Sequence, residues 1–146
     1  MFKTILVAVD GSTNGKRAVD MGIELAKCND ARLLLLHVIA EQPLPDEIVE
    51  MIAAGEITGY KSEILTTSAE LLLRNAQRHS EHAGYTNVHS EFVVGDPARK
   101  ILEYAAAHSA DLIVIGHRGI DTQSDMLGSV ARKLVNMTKF SVLIVG

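Results

Sequence analysis

A single cysteine, Cys28, leaves this chain of 146 residues unable to form an intramolecular disulfide. The disulfide frameworks of small secreted domains are thereby excluded, and nothing argues for an oxidising compartment. Long apolar runs are lacking too. The opening segment from Met1 enters a hydrophobic run of only about five residues, shorter than the core of a secretory signal, and no stretch approaches the ~20 apolar residues that span a bilayer. A cytoplasmic protein without a membrane anchor is expected. Basic runs are also missing: 14 Lys and Arg stand against 18 Asp and Glu, a formal net charge of −4, which argues against a nucleic-acid partner. Disorder is not expected, because 47% of the residues are hydrophobic and 22% charged, the balance of an ordinary folded domain.

What is present alternates between two periods. Ile5–Val9, Leu33–Ile39, Leu112–Ile115 and Val142–Val145 are short aliphatic runs, the pattern of strands buried on both faces of a parallel sheet. Val88–Val94 is more polar, interrupted by His89, Ser90 and Glu91, and reads as an edge strand. Between these runs the spacing turns helical. A helix from Thr13 to Cys28 carries Ala18, Gly22 and Leu25 on one face, and Cys28 at its end reads as a small buried hydrophobe. Leu65, Ala69, Leu72, Leu73 and Ala76 mark a longer helix over about 57–83, closed by Gly84. Asp96-Pro97 starts the helix of Ala98, Ile101, Leu102 and Ala105, with a side-chain acceptor at the cap and a fixed φ after it. Leu127, Val130, Ala131 and Leu134 mark another. Glu41–Gly59, with Pro43, Pro45, Gly55 and Gly59, reads as a mobile insertion. The order β-α-β-α-β-α-β-α-β implies an α/β fold, one open, mostly parallel sheet with helices on both faces, in a single domain spanning 1–146.

Ligands of such sheets sit beyond the carboxyl ends of the strands, where the winding reverses. Two segments leave strand ends with suitable chemistry: Asp10-Gly11-Ser12, and Gly116-His117-Arg118-Gly119 followed by Gly128-Ser129 at a helix start. Glycines let a backbone approach phosphate oxygens, and a helix N-terminus adds amide donors and partial positive charge. Ser129 adds a hydroxyl, Arg118 and Arg132 add charge, and Asp10 suits ribose hydroxyls or a water-bridged magnesium ion. The plainer alternatives stay open. A glycine after a strand also serves as a turn, Gly-Ser as a cap, and Asp10 as a cap for the first helix. His117 reads as a solvated loop residue rather than a catalytic base.

Other motifs fail. Gly11-Ser-Thr-Asn-Gly15-Lys16-Arg17 has too few residues between its glycines for a P-loop, and Arg17 stands where Ser or Thr is required. The dinucleotide G-x-G-x-x-G and the G-x-S-x-G nucleophile elbow are absent. His79, His82 and His89 read as a solvated polar surface rather than metal ligands.

Lys3-Thr-Ile-Leu-Val-Ala-Val-Asp-Gly-Ser12, Gly95-Asp-Pro97, Ala110-Asp-Leu-Ile-Val-Ile-Gly-His-Arg-Gly119, Gly128-Ser-Val130 and Ser141-Val-Leu-Ile-Val145 together resemble the universal stress protein family. The resemblance covers nearly the whole chain in order. It implies a Rossmann-like, five-stranded parallel sheet in the order 3-2-1-4-5, which sets the first and fourth strands side by side. It implies ATP binding, with or without Mg2+, through the pattern G-x2-G-x9-G-[S/T], matched here by Gly116, Gly119, Gly128 and Ser129. Asp10 then serves the ribose-adenine side with Ala8 nearby, Val38 meets adenine, and Ile115 and Val130 line the site. Only eight residues, 120–127, separate Gly119 from Gly128 where the pattern has nine, and Asp121 and Asp125 lie among them. A surface loop absorbs such a deletion, or Gly128-Ser129 shifts out of register with the phosphates.

The last strand would end the sheet as an apolar edge, a hazard unless paired. Pairing with its own copy across a two-fold axis relieves it, and the resemblance also implies homodimers. No nucleophile or general base stands out, so a stress-response binding or signalling module is expected, with at most slow ATP hydrolysis. The alternative is a stress protein that binds no nucleotide and acts through dimer or partner contacts.

Overall fold

The computed structural model describes residues 1–41, 46–55, 60–118 and 126–146. Its elements run β1 (Thr4–Ala8), α1 (Thr13–Asn29), β2 (Arg32–Ala40), α2 (Asp46–Ala53), α3 (Tyr60–His82), β3 (Val88–Gly95), α4 (Pro97–Ala107), β4 (Leu112–Gly116), α5 (Ser129–Met137) and β5 (Val142–Val145). The five strands form one sheet in the order β3-β2-β1-β4-β5, and every pair is parallel. This is the order expected, and β3 and β5 are its edges.

Alternate strand residues feed two cores, as the two-residue side-chain period requires. Ile5, Val7, Leu33, Leu35 and Val114 pack with Ala18, Val19, Ile23 and Ala26 of α1 and Leu73 and Ala76 of α3. On the opposite face Leu6, Leu34, Leu36, Ile113 and Ile115 pack with Ile101, Tyr104 and Ala105 of α4 and Ala131 and Leu134 of α5. The sheet's start is pinned by Asp111, whose carboxylate accepts the backbone amides of Lys3 at 2.8 Å and Thr4 at 3.2 Å.

Three sequence expectations need correction. Glu41–Gly59, read as a mobile insertion, contains a helix over Asp46–Ala53. Asp46 and Glu47 in its first turn suit the helix dipole. Residues 42–45 and 56–59 lie outside the described residues, as does the start of the long helix expected at 57. Cys28 is exposed, not buried: the buried stripe of α1 runs 14, 15, 18, 19, 22, 23, 26, and position 28 falls off it. Leu65 is exposed as well, and the buried stripe of α3 begins at Ala69.

Candidate functional site

Of the helices that follow a strand, α1, α4 and α5 each start differently. Ser12 caps α1, its Oγ accepting the Gly15 amide at 2.9 Å. Asp96 caps α4, its carboxylate accepting the Arg99 amide at 3.1 Å. At α5 the cap is Gly128, with no side-chain hydrogen bond to the first turn. The amides of that turn therefore keep their donors and the partial positive charge of a helix start.

The Asp10 side chain braces the first of these starts. Its Oδ1 accepts the Ser12 amide at 2.9 Å and the Ser12 hydroxyl at 2.6 Å. The capping role that the sequence left open for Asp10 thus belongs to Ser12, with Asp10 one step behind it. The carboxylate comes so close to α1 that a Cβ at Gly15 would lie 2.1 Å from Oδ1. Asp10 Oδ2 has no hydrogen-bond partner among the described residues, which leaves it open to a donor.

The two strand-end segments meet across the β1–β4 boundary. Ser12 Oγ lies 3.4 Å from the carbonyl oxygen of Arg118. Its one hydroxyl hydrogen serves the shorter contact to Asp10, so the approach to Arg118 is a weak one. Gly128 is drawn into the same region, its amide donating to the His117 carbonyl at 2.7 Å. Asp10 thus touches Ser12, Ser12 approaches Arg118, and Gly128 bonds to the neighbouring His117.

Gly116 has a packing role in addition to the one its motif suggests. A Cβ there would stand 2.8 Å from the Asn14 carbonyl carbon and 3.0 Å from its Cβ. The missing side chain at Gly116 is what lets α1 lie on β4. Asn14 itself is buried, and nothing in the sequence marked it.

Ala8, Val38, Ile115 and Val130 all belong to the core on the α4–α5 face, at the carboxyl ends of β1, β2 and β4 and the start of α5, so they form one apolar wall. Ser129, the first residue of α5, is exposed. Gly119 lies outside the described residues, together with residues 120–125. Lys133 is engaged with Asp96 at 2.9 Å, tying α5 to the start of α4, and the Arg132 guanidinium reaches the Leu127 carbonyl at 3.4 Å. Asn14 and Gly15 are residues the sequence reading missed, and Ser12 was marked only as part of the segment Asp10-Gly11-Ser12, without its capping role. A Ser directly before a helical pattern was a usable signal for that role.

The histidines do not cluster. His79 pairs with Asp20 at 2.5 Å and His89 lies 3.8 Å from Glu91. Among the described residues no group of three His, Cys, Asp or Glu could hold a metal ion, and no helix is long and apolar enough to cross a membrane.

A sequence profile described as "Universal stress protein family" matches residues 1–146. The chain belongs to the universal stress protein family. The Bacillus subtilis universal stress protein YxiE is 33% identical over 155 residues, covering 99% of each chain. Among solved structures, the universal stress protein UspA from Lactobacillus plantarum superposes with a TM-score of 0.83 over 99% of this chain and 97% of its own, at 24% identity, a likeness of fold. A universal stress protein solved in complex with cAMP matches with a TM-score of 0.70 and 28% identity over 99% of this chain and 96% of its own.

Proposed function

We propose that this universal stress protein binds an adenine nucleotide, ATP in the first instance and with or without Mg2+, between the β1–α1 turn and the start of α5. On this reading it acts as a stress-response binding or signalling module. The observation that carries the reading is the uncapped first turn of α5, whose cap Gly128 is bonded to His117 next to the Arg118 carbonyl that Ser12, held by Asp10, approaches. Uncapped amides attract phosphate oxygens, an open carboxylate oxygen accepts ribose hydroxyls, and the apolar wall of Ala8, Val38, Ile115 and Val130 suits a purine face. The cAMP complex of a related protein supports an adenine ligand of this kind. In this reading Gly128, Ser129 and Val130 contact phosphate through the helix start, Arg118 and Gly119 border it, and Gly116 acts by holding α1 against β4. Nucleotide binding then biases a conformational or partner equilibrium.

The protein acts as a cytoplasmic homodimer through β5 on the same reading. Ile113 and His117 donate to the carbonyls of Ser141 and Val145, so the odd residues of β5 face β4. Val142 and Ile144 turn their backbone groups to the open edge, a template for an identical strand.

Calorimetry with ATP and cAMP tests the nucleotide reading. Ser129→Asp puts a carboxylate at the α5 start, where it suits the helix and repels phosphate. Affinity should fall about tenfold or more, with the fold retained. Unchanged affinity in that variant, or no heat with either ligand, overturns the assignment.

A further inference from the structure

Far from the nucleotide crevice, α3 and β3 enclose a groove of about 680 Å³ at the edge of the sheet. Its strand side is a backbone edge that pairs with no strand among the described residues. β3 pairs with β2 without interruption from Val88 to Gly95, and the carbonyls of Asn87 and Gly95 accept the amides of Leu33 in β2 and of Glu41 just after it. In an extended chain the amide and carbonyl of one residue point the same way and those of the next point oppositely. The odd residues therefore face β2, while Val88, Ser90, Phe92 and Val94 turn their donors and acceptors outward. The same four residues share the α3 side of the sheet, where Val88 and Phe92 pack against the core. The Ser90 hydroxyl donates to Gln77 Oε1 of α3 at 2.7 Å, fixing the groove's floor.

The helix side carries an unusual charge order. From the helix, Glu70, Arg74, Arg78 and Glu81 line the groove in that sequence, negative at both ends and doubly positive at the centre, while Glu91 of the strand, which also borders the groove, accepts the Tyr104 hydroxyl of α4. Arg74 and Arg78 stand at the i,i+4 spacing at which like charges oppose each other. Each has a glutamate within helical reach, Glu70 for Arg74 and Glu81 for Arg78, yet neither arginine makes an ion pair or hydrogen bond among the described residues. The Gln77 amide instead reaches Glu81 at 3.4 Å. Two exposed guanidinium groups are thus presented side by side along an open strand.

We infer that this groove docks an extended segment of another protein, which adds to β3 as a sixth strand and places acidic side chains at its centre against Arg74 and Arg78. The partner's backbone supplies the acceptors and donors that Ser90 and Phe92 lack. The paired guanidiniums read carboxylates in their favoured geometry, and Glu70 and Glu81 favour basic residues toward the segment's ends. The eleven helical rises from residue 70 to residue 81 span ~16 Å, the length of about five residues of extended chain. This docking surface is separate from the nucleotide site and does not depend on it.

The test uses an array of synthetic octapeptides in which Val alternates with Glu, Lys or Ser, probed with the labelled full chain and followed by fluorescence anisotropy. Peptides with central Glu and flanking Lys should bind, and the charge-reversed set should not. The double variant Arg74→Glu/Arg78→Glu, confined to exposed positions, should weaken binding about tenfold or more. Ser90→Pro, which deletes one outward amide from an edge strand that tolerates proline, should do the same. Hydrogen exchange in the unmodified chain should show the Ser90 and Phe92 amides protected on peptide addition. The proposal is overturned by any of four results: no bound peptide, binding indifferent to charge, exchange unaltered at Ser90 and Phe92, or self-association of the chain that Ser90→Pro abolishes. The last result would make the edge a contact between copies instead.

Discussion

Gly116 lies directly on the backbone of Asn14, so close that a Cβ would stand 2.8 Å from the Asn14 carbonyl carbon. Gly116→Ala should therefore act first on stability. Forcing a methyl against backbone costs about 1–3 kcal/mol, a loss of several degrees in thermal midpoint for a chain of this size, by the rough scale of 2–4 °C per kcal/mol. Scanning calorimetry without ligand checks it. An unchanged midpoint would mean that α1 can move away from β4 freely.

Ser12→Ala removes the α1 cap and the hydroxyl that Asp10 accepts. The expected cost is ~1 kcal/mol in urea unfolding, with an unchanged slope. Ser12→Asp should recover less than a normal cap exchange, because the Asp10 carboxylate already lies against that turn. A Ser12→Asp chain more stable than the original would refute this placement of Asp10.

Lys133 controls the ionisation of Asp96. Its hydrogen bond, followed by that of the Arg99 amide, holds the Asp96 carboxyl below the ordinary aspartate value of 3.8. A depressed folded-state pKa gives stability that is present above the ordinary value and is lost as pH falls through the folded one. Carboxyl NMR titration should find Asp96 titrating below free aspartate, and moving upward in Lys133→Ala. The same midpoint in both chains would break the link.

Tyr104 behaves oppositely at alkaline pH. Burial, with its hydrogen bond to Glu91 at 2.8 Å, pushes its hydroxyl well above the usual 10.0. The folded state then keeps a proton that the unfolded chain releases, so this contribution is complete below pH 10.0 and declines as pH rises toward the folded value. Tyr104→Phe should cost about 1 kcal/mol near neutrality and flatten the alkaline loss of stability. A chain whose alkaline unfolding is untouched by the substitution would contradict it.

The β5 edge predicts a particle twice the 15.8 kDa chain mass in sedimentation. Ile144→Pro removes one outward amide from that edge and should shift the population to the monomer. A single-chain mass for the unmodified protein would end the dimer proposal.

Much of this protein was determined by local pattern. Runs such as Ile5–Val9 and Leu33–Ile39 announce strands covered on both faces, because a strand between two helical layers has no polar side to show. Asp96-Pro97 announces a helix start, because cap and first turn are satisfied within four residues. Even the edge character of β3 was visible in its interrupting polar residues. Tertiary structure alone decided which chemistry each loop residue performs. The packing role of Gly116 shows only once α1 is laid across it, and of the two readings open for Asp10 the cap is seen to belong to Ser12. The open edge beside Arg74 and Arg78 exists only once β3 is set outermost. Local sequence carries propensities that neighbours along the chain can satisfy, whereas close approach and unpaired groups arise between residues far apart in sequence, and only the folded chain brings those together.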